Sequence, residues 1–147
     1  MAPPEEIIAG EDSIGQYIPQ KQPVIMIGKL LEVNGMKTVT SFFIREENVF
    51  CSEGFLREPG LIENMAQTAA AGVGYVSGKT GKNPPVGFIG GLRNLRIDEL
   101  PRVGSEIRTE VTVEHEVFDA TVVTGKIFLE ERCIASCELK IFLMKIS

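Results

Sequence analysis

Pro59-Gly-Leu-Ile-Glu-Asn-Met-Ala-Gln-Thr-Ala-Ala-Ala-Gly-Val-Gly-Tyr-Val-Ser77 is the stretch that decides how this chain folds. From Leu61 onward, Leu61, Met65, Ala69, Val73 and Val76 recur at helical spacing, which predicts one long helix over 61–77, about 25 Å end to end. Pro59-Gly60 opens it. The helix is rich in small residues (Ala66, Ala69, Ala70, Ala71, Gly72, Gly74). Glycine costs a helix interior about 1 kcal/mol relative to alanine, so Gly72 and Gly74 imply that other backbone approaches closely.

On either side of this helix the pattern changes to that of strands. Upstream, Val24 to Val33 and Met36 to Arg45 are β-prone runs separated by Asn34-Gly35, a strong hairpin signal. Before them, Ser13 to Ile18 reads as a short helical turn stopped by Pro19, and residues 1–12, rich in Pro, Glu and Gly, read as a flexible N-terminus. Between Glu46 and Gly60 the pattern breaks into an irregular loop. Downstream of the turn-rich segment 78–85, Val86 to Ile97 is one strand. Ser105 to Val117 is another, with Ile107, Val111 and Val113 on one face and Glu106, Arg108, Glu110 and Glu114 on the other. Ala120 to Leu129 and Cys133 to Met144 form a further hairpin around Glu130-Glu131-Arg132. The order is hairpin, single helix, then three or four long strands. One helix cannot cover both faces of such a sheet, so the sheet must curl around it or find a partner.

Bulk composition narrows the class. A chain of 147 residues, 44% hydrophobic and 24% charged, suits one globular domain, here 13–147. The net charge of −5 without a Lys/Arg cluster argues against a nucleic-acid partner. No apolar run approaches the roughly 20 residues of a membrane span, and the first residues lack a secretory pattern. Cys133 and Cys137 lie four apart in a strand, about 13 Å between Cα atoms, roughly twice what a disulfide tolerates. Reduced thiols and a cytoplasmic location are the expectation. His115 is the only histidine, no cluster has metal-ligand spacing, and no cofactor is implied.

Three stretches carry a resemblance to a known family. Ile18-Pro-Gln-Lys-Gln-Pro-Val-Ile-Met-Ile-Gly-Lys-Leu-Leu-Glu-Val33 resembles a proline turn running into an Asp-Arg-Val-Leu-Glu-like strand. Pro59-Gly60 followed by Glu63-Asn-Met-Ala-Gln67 resembles a helix start in which Pro-Gly precedes Glu-Ala-Met-Ala-Gln. Gly87-Phe-Ile-Gly-Gly-Leu-Arg93 with Leu100-Pro-Arg-Val-Gly104 resembles a third strand and the turn after it. In this order they are similar to the 3-hydroxyacyl-acyl-carrier-protein dehydratases of the hotdog superfamily, in the branch associated with aryl-polyene and flexirubin pigments. That implies an α+β hotdog fold, an antiparallel sheet wrapped around one long central helix. It also implies an acyl thioester on acyl-carrier protein or coenzyme A as substrate, in fatty-acid or polyene biosynthesis, and a dimer, with itself or with another hotdog subunit, paired through the 86–97 strand. Two positions depart from the pattern. The family's Gly-His-Phe-Pro histidine is missing from Phe50-Cys-Ser-Glu-Gly-Phe-Leu-Arg-Glu-Pro59, its place falling on or near Glu53. Gly28 stands where an aspartate is usual.

Dehydration of a 3-hydroxyacyl thioester needs a base for the α-proton, an acid for the leaving hydroxyl and polarisation of the thioester carbonyl. Gly60 and Leu61, at a helix N-terminus, would offer unpaired N–H groups to the carbonyl. Glu63 is either an ordinary helix-dipole carboxylate or, as the resemblance implies, the acid, contributed across a dimer interface, with Gln67 one turn on to orient it. Glu53 is the replacement base only if burial raises its pKa; otherwise it is a solvated loop residue. Cys51 lacks an activating neighbour, and His115 sits at the end of an apolar face, where a histidine is usually structural. Phe88 and Gly90 are assigned to the acyl tunnel. Lys79, Lys82, Arg93, Arg96 and Arg102 are candidate carrier-protein contacts or scattered surface charges. Three functions stay open: a dehydratase with an atypical base, a non-catalytic subunit of a heterodimeric dehydratase, and an acyl thioesterase.

Overall fold

The computed structural model describes residues 7–22, 24–79 and 86–144, and burial alternates most clearly along 106–112. Strands β1 (Lys29–Asn34) and β2 (Lys37–Phe43) form the first hairpin. Asn34 pairs with Lys37, so Gly35 and Met36 are the turn residues, and Gly35 adopts φ +38°. The segment 46–60 is not wholly irregular: β3 (Cys51–Ser52) and β4 (Phe55–Leu56) make a small hairpin. Helix α1 then runs Glu58–Lys79, followed by β5 (Val86–Ile97), β6 (Glu106–Val117), β7 (Ala120–Leu129) and β8 (Arg132–Met144). The large sheet is antiparallel throughout, in the order β1-β2-β6-β7-β8-β5. One long helix packed against a six-stranded antiparallel sheet, among the described residues, is the hotdog arrangement.

The helix begins three residues before the predicted Leu61, because Pro59 suits a first turn, where its missing N–H has no partner to lose. Its 22 residues span about 33 Å. Two stripes run along it. Leu61, Asn64, Met65, Thr68 and Ala71 are fully buried against the sheet, where Met65 joins Ile107, Val111, Ile127 and Leu139 in the main core. Ala69, Val73 and Val76, predicted to share that stripe, lie on a second and less buried flank. The buried stripe is unusually polar, and each polar group is satisfied. Thr109 donates to Asn64 Oδ1, Asn64 Nδ2 donates to the Met26 carbonyl (2.7 Å), and Thr68 donates to the Asn64 carbonyl while pairing with Thr40 (2.7 Å). Buried polar groups tolerate this environment only when so bonded.

The close approach implied by the helix glycines is present at Gly74, where a Cβ would run into the Tyr17 carbonyl oxygen. The turn Ile14–Gln16, predicted before Pro19, is a 3₁₀ helix with Ile14 and Ile18 buried. Within the N-terminal arm, Ile8 and Ala9 both donate to the Leu30 carbonyl, and Leu30 donates back to Ala9. The remainder of that arm, residues 1–6, lies outside the described residues.

Candidate active site

The second flank of α1 borders a cavity of about 520 Å³. Ala66, Ala69, Ala70, Val73 and Val76 form its helical wall, and Val111, Val113, Val123 and Ile141 form its floor on the sheet. Gly87, Phe88 and Ile89 of β5 close one side. Along α1 it extends from Glu63 to Val76, about 20 Å. The small residues of the helix thus make room for a ligand-sized groove rather than for tight packing along the whole element.

Glu63 stands at one end of this groove. Its Oε1 accepts a hydrogen bond from Gln67 Nε2 (2.9 Å). Gln67 is completely buried; the same Nε2 donates to the Val24 carbonyl (2.7 Å), and its Oε1 accepts from the Met26 N–H (2.6 Å). The amide is therefore committed to three partners, and Gln67 does not border the cavity. It locks the extended segment 24–26, which lacks a strand partner of its own, onto the helix, and it fixes the rotamer of Glu63.

The amides of Gly60 and Leu61 require correction. They are not unpaired: both donate to the Arg57 carbonyl (2.9 and 3.3 Å), the earlier helix start having drawn them into the first turn. Neither residue borders the cavity. Gly60 is instead needed for packing, since a Cβ there would lie 2.7 Å from Leu56 Cδ1 and Phe50 Cβ. Phe88 does border the cavity, although half exposed, and stacks on Phe142 at 5.6 Å. Gly90 sits in a β-bulge opposite Lys140 and leaves space for the Phe142 ring.

Glu53 occupies the tip of the β3–β4 turn at φ +55°, exposed and away from the groove. Burial pushes the Cys51 thiol up, against thiolate formation, and its Sγ faces the Arg45 carbonyl. A bulge between Val113 and His115 reverses the alternation of β6. His115 therefore does not share the face of Val111 and Val113; it is exposed and borders a separate hollow of about 380 Å³ with Arg93, Val122 and Lys140. The same reversal brings Glu116 to the main groove, a placement with no signal in the sequence. Gln20, also unsignalled, borders the groove with Glu63.

Of the candidate carrier-protein contacts, Lys79 lies over the Tyr75 ring, Arg102 over Phe55, and Arg96 pairs with Asp98. Arg93 is exposed beside His115, and Lys82 falls outside the described residues. Among the described residues no three His, Cys, Asp or Glu side chains could hold a metal ion, and no helix is long and apolar enough to cross a membrane.

All three thiols are free. Cys137, packed on Met65, has its pKa pushed from 9.0 to about 11, first by burial and then by the Glu138 charge. The folded state therefore holds this proton more tightly than the unfolded chain. Its contribution to stability is complete below the unfolded value and is lost as pH rises from about 9 toward 11. The difference in melting temperature between the wild type and Cys137→Ala should narrow across that window; a constant difference would show that the thiol does not ionise on unfolding.

Comparison with known proteins places this geometry. Residues 12–145 match the model of the ApeP-like family, described as ApeP dehydratase. The dehydratase heterocomplex ApeI:P from Xenorhabdus doucetiae is similar in structure, with a TM-score of 0.78, 16% identity, and coverage of 90% of this chain and 91% of that one. So are the uncharacterised PH1136 of Pyrococcus horikoshii (TM-score 0.68, 13% identity, coverage 89% and 93%) and a hypothetical thioesterase from Streptococcus pneumoniae with coenzyme A (0.63, 10%, 78% and 84%). At such identities these three show the shared fold. No curated protein matches the chain significantly. The family model spans the groove, Glu63 and every strand of the sheet, and the chain belongs to the ApeP-like dehydratase family.

Proposed function

We propose that this protein is a dehydratase subunit acting on 3-hydroxyacyl thioesters, with the acyl chain lying along α1 and Glu63 serving as acid for the 3-hydroxyl. The observation that carries the proposal is a buried glutamine holding a carboxylate at the end of an apolar groove. A helix that turns Asn64, Gln67 and Thr68 to the core and alanines and valines to a partly open flank is built for an apolar ligand or partner rather than for its own packing.

The reaction removes an α-proton to a base, and the hydroxyl leaves as water with a proton from Glu63. The loop Phe50–Pro59 has no histidine, and Glu53 stands outside the groove, so the base is proposed to come from a second hotdog subunit. Strand β5 supports such pairing: it is one edge of the sheet, 12 residues long, and leaves Phe88, Ile89, Leu92 and Leu95 exposed. A long apolar edge of this kind templates another strand. The heterocomplex named for the Xenorhabdus relative favours a different hotdog chain over a second copy. The carrier is proposed to be acyl-carrier protein or coenzyme A, and the setting the cytoplasm.

The experiment is mass spectrometry of 3-hydroxyacyl-carrier protein incubated with this chain alone and with a histidine-bearing hotdog partner. Loss of one water only with both chains is the expected result. Water loss with this chain alone would return the base to it. Release of free thiol without water loss would make the protein a thioesterase. For the interface, Leu92→Asp should weaken subunit association about a hundredfold, ~2.7 kcal/mol, measured by light scattering across a dilution series. An unchanged dissociation constant would move the interface away from β5.

A further inference from the structure

Gln20 borders the same groove as Glu63. Its carboxamide oxygen is buried and finds no donor among the described residues, the one side-chain atom of which this holds. A buried acceptor without a donor is destabilising, and native proteins rarely keep one without a use. A Gln67 hydrogen bond fixes Val24, four residues further along, and the same amide nitrogen bonds Glu63. One buried amide thus positions the segment carrying Gln20 and the proposed acid together.

We infer that Gln20 is a positioning residue whose carboxamide, closed off from solvent in the ligand-free groove, turns so that Oε1 accepts a hydrogen bond from the 3-hydroxyl of the bound acyl group. This rests on the proposed dehydratase function and adds to it the group that selects hydroxylated substrate. Protonation of a leaving hydroxyl by Glu63 needs a lone pair on that oxygen directed at the carboxyl, so the hydroxyl hydrogen must point elsewhere. Gln20 Oε1 is an acceptor for it. The other donors on the substrate are the amide N–H and hydroxyl groups of the pantetheine arm, which an acyl-selective test separates from the 3-hydroxyl.

The test uses two ligands, 3-hydroxyoctanoyl- and octanoyl-pantetheine with NH in place of the thioester sulfur. Their affinities are measured by calorimetry for the subunit in its assembly, as wild type, Gln20→Met and Gln20→Glu. The wild type should favour the hydroxylated ligand about tenfold, ~1.4 kcal/mol. Gln20→Met, close in size but without the acceptor, should abolish that preference and leave the octanoyl affinity unchanged, while Gln20→Glu should retain it. The ligand-free melting temperature of Gln20→Met should stay level or rise, because an unpaired acceptor has been removed; a structural role would lower it. Equal weakening of both ligands would assign Gln20 to a donor of the shared pantetheine arm and overturn the hydroxyl contact. A preference that survives Gln20→Met would overturn it as well. If the wild type binds neither ligand, the proposed function itself fails.

Discussion

Glu63→Gln should slow water loss from a 3-hydroxyacyl thioester by a factor of about 100 to 10,000, the usual contribution of a positioned general acid. The substitution is chosen because it isolates the proton. Gln67 Nε2 donates to Glu63 Oε1, and an amide oxygen can accept the same bond, so the side chain keeps its place in the groove. Stability should therefore change by no more than about 0.5 kcal/mol, and affinity for a saturated acyl-pantetheine should be unaffected. The measurement is the single-turnover rate of the assembled dehydratase, set beside the melting temperature of the variant. A rate within twofold of wild type would exclude Glu63 as the acid and move attention to Glu116, another carboxylate bordering the groove. A collapse in melting temperature would instead show that Glu63 is a structural partner of Gln67.

Gly74→Ala should destabilise the fold by about 3 kcal/mol, although helix propensity alone favours alanine by about 1 kcal/mol. The two effects have opposite signs and differ in size. A Cβ at position 74 would run into the Tyr17 carbonyl oxygen and would lie 2.6 Å from the carbonyl carbon and 2.9 Å from the Cα of that residue. These are backbone atoms, unable to rotate aside, and overpacking of this kind typically costs 1–3 kcal/mol and occasionally more. The melting temperature should fall by roughly 10 °C for a domain of this size. Gly78→Ala is the internal control: its Cβ would lie 3.9 Å from Tyr17 Cε1, an ordinary contact, so propensity should win and stability should rise by up to about 1 kcal/mol. If both variants were stabilised, Tyr17 would not sit on the helix in solution.

The strands were legible because alternation is a local property. Ala120–Leu129 runs as predicted, and the starts of β6 and β8 differ from prediction by one residue. Hairpin chemistry at Asn34-Gly35 located the first turn, with the turn itself shifted by one residue. The family, and the lack of its histidine, were equally visible, since both are matters of residue identity in order. Glu63 could be singled out for the same reason.

What the chain order could not carry is which of two apolar stripes meets the sheet. Leu61, Met65, Ala69, Val73 and Val76 are all apolar, and periodicity alone groups them. Only docking against β6 and β7 separates the first two, in the core, from the last three, beside the groove. Bulges are invisible for a related reason. One extra residue near Glu114 reverses the alternation beyond it, sending His115 out and Glu116 toward the groove, and no side chain there announces it. Gln67 looked like a residue for the substrate and proved to be wholly buried, because the strandless segment 24–26 needed side-chain partners for its backbone. The sequence by itself determined the order of elements, the family and the proposed acid. The tertiary structure decided the groove, the clamp on Glu63 and the placement of Gln20, since each depends on contacts between segments that no local pattern records.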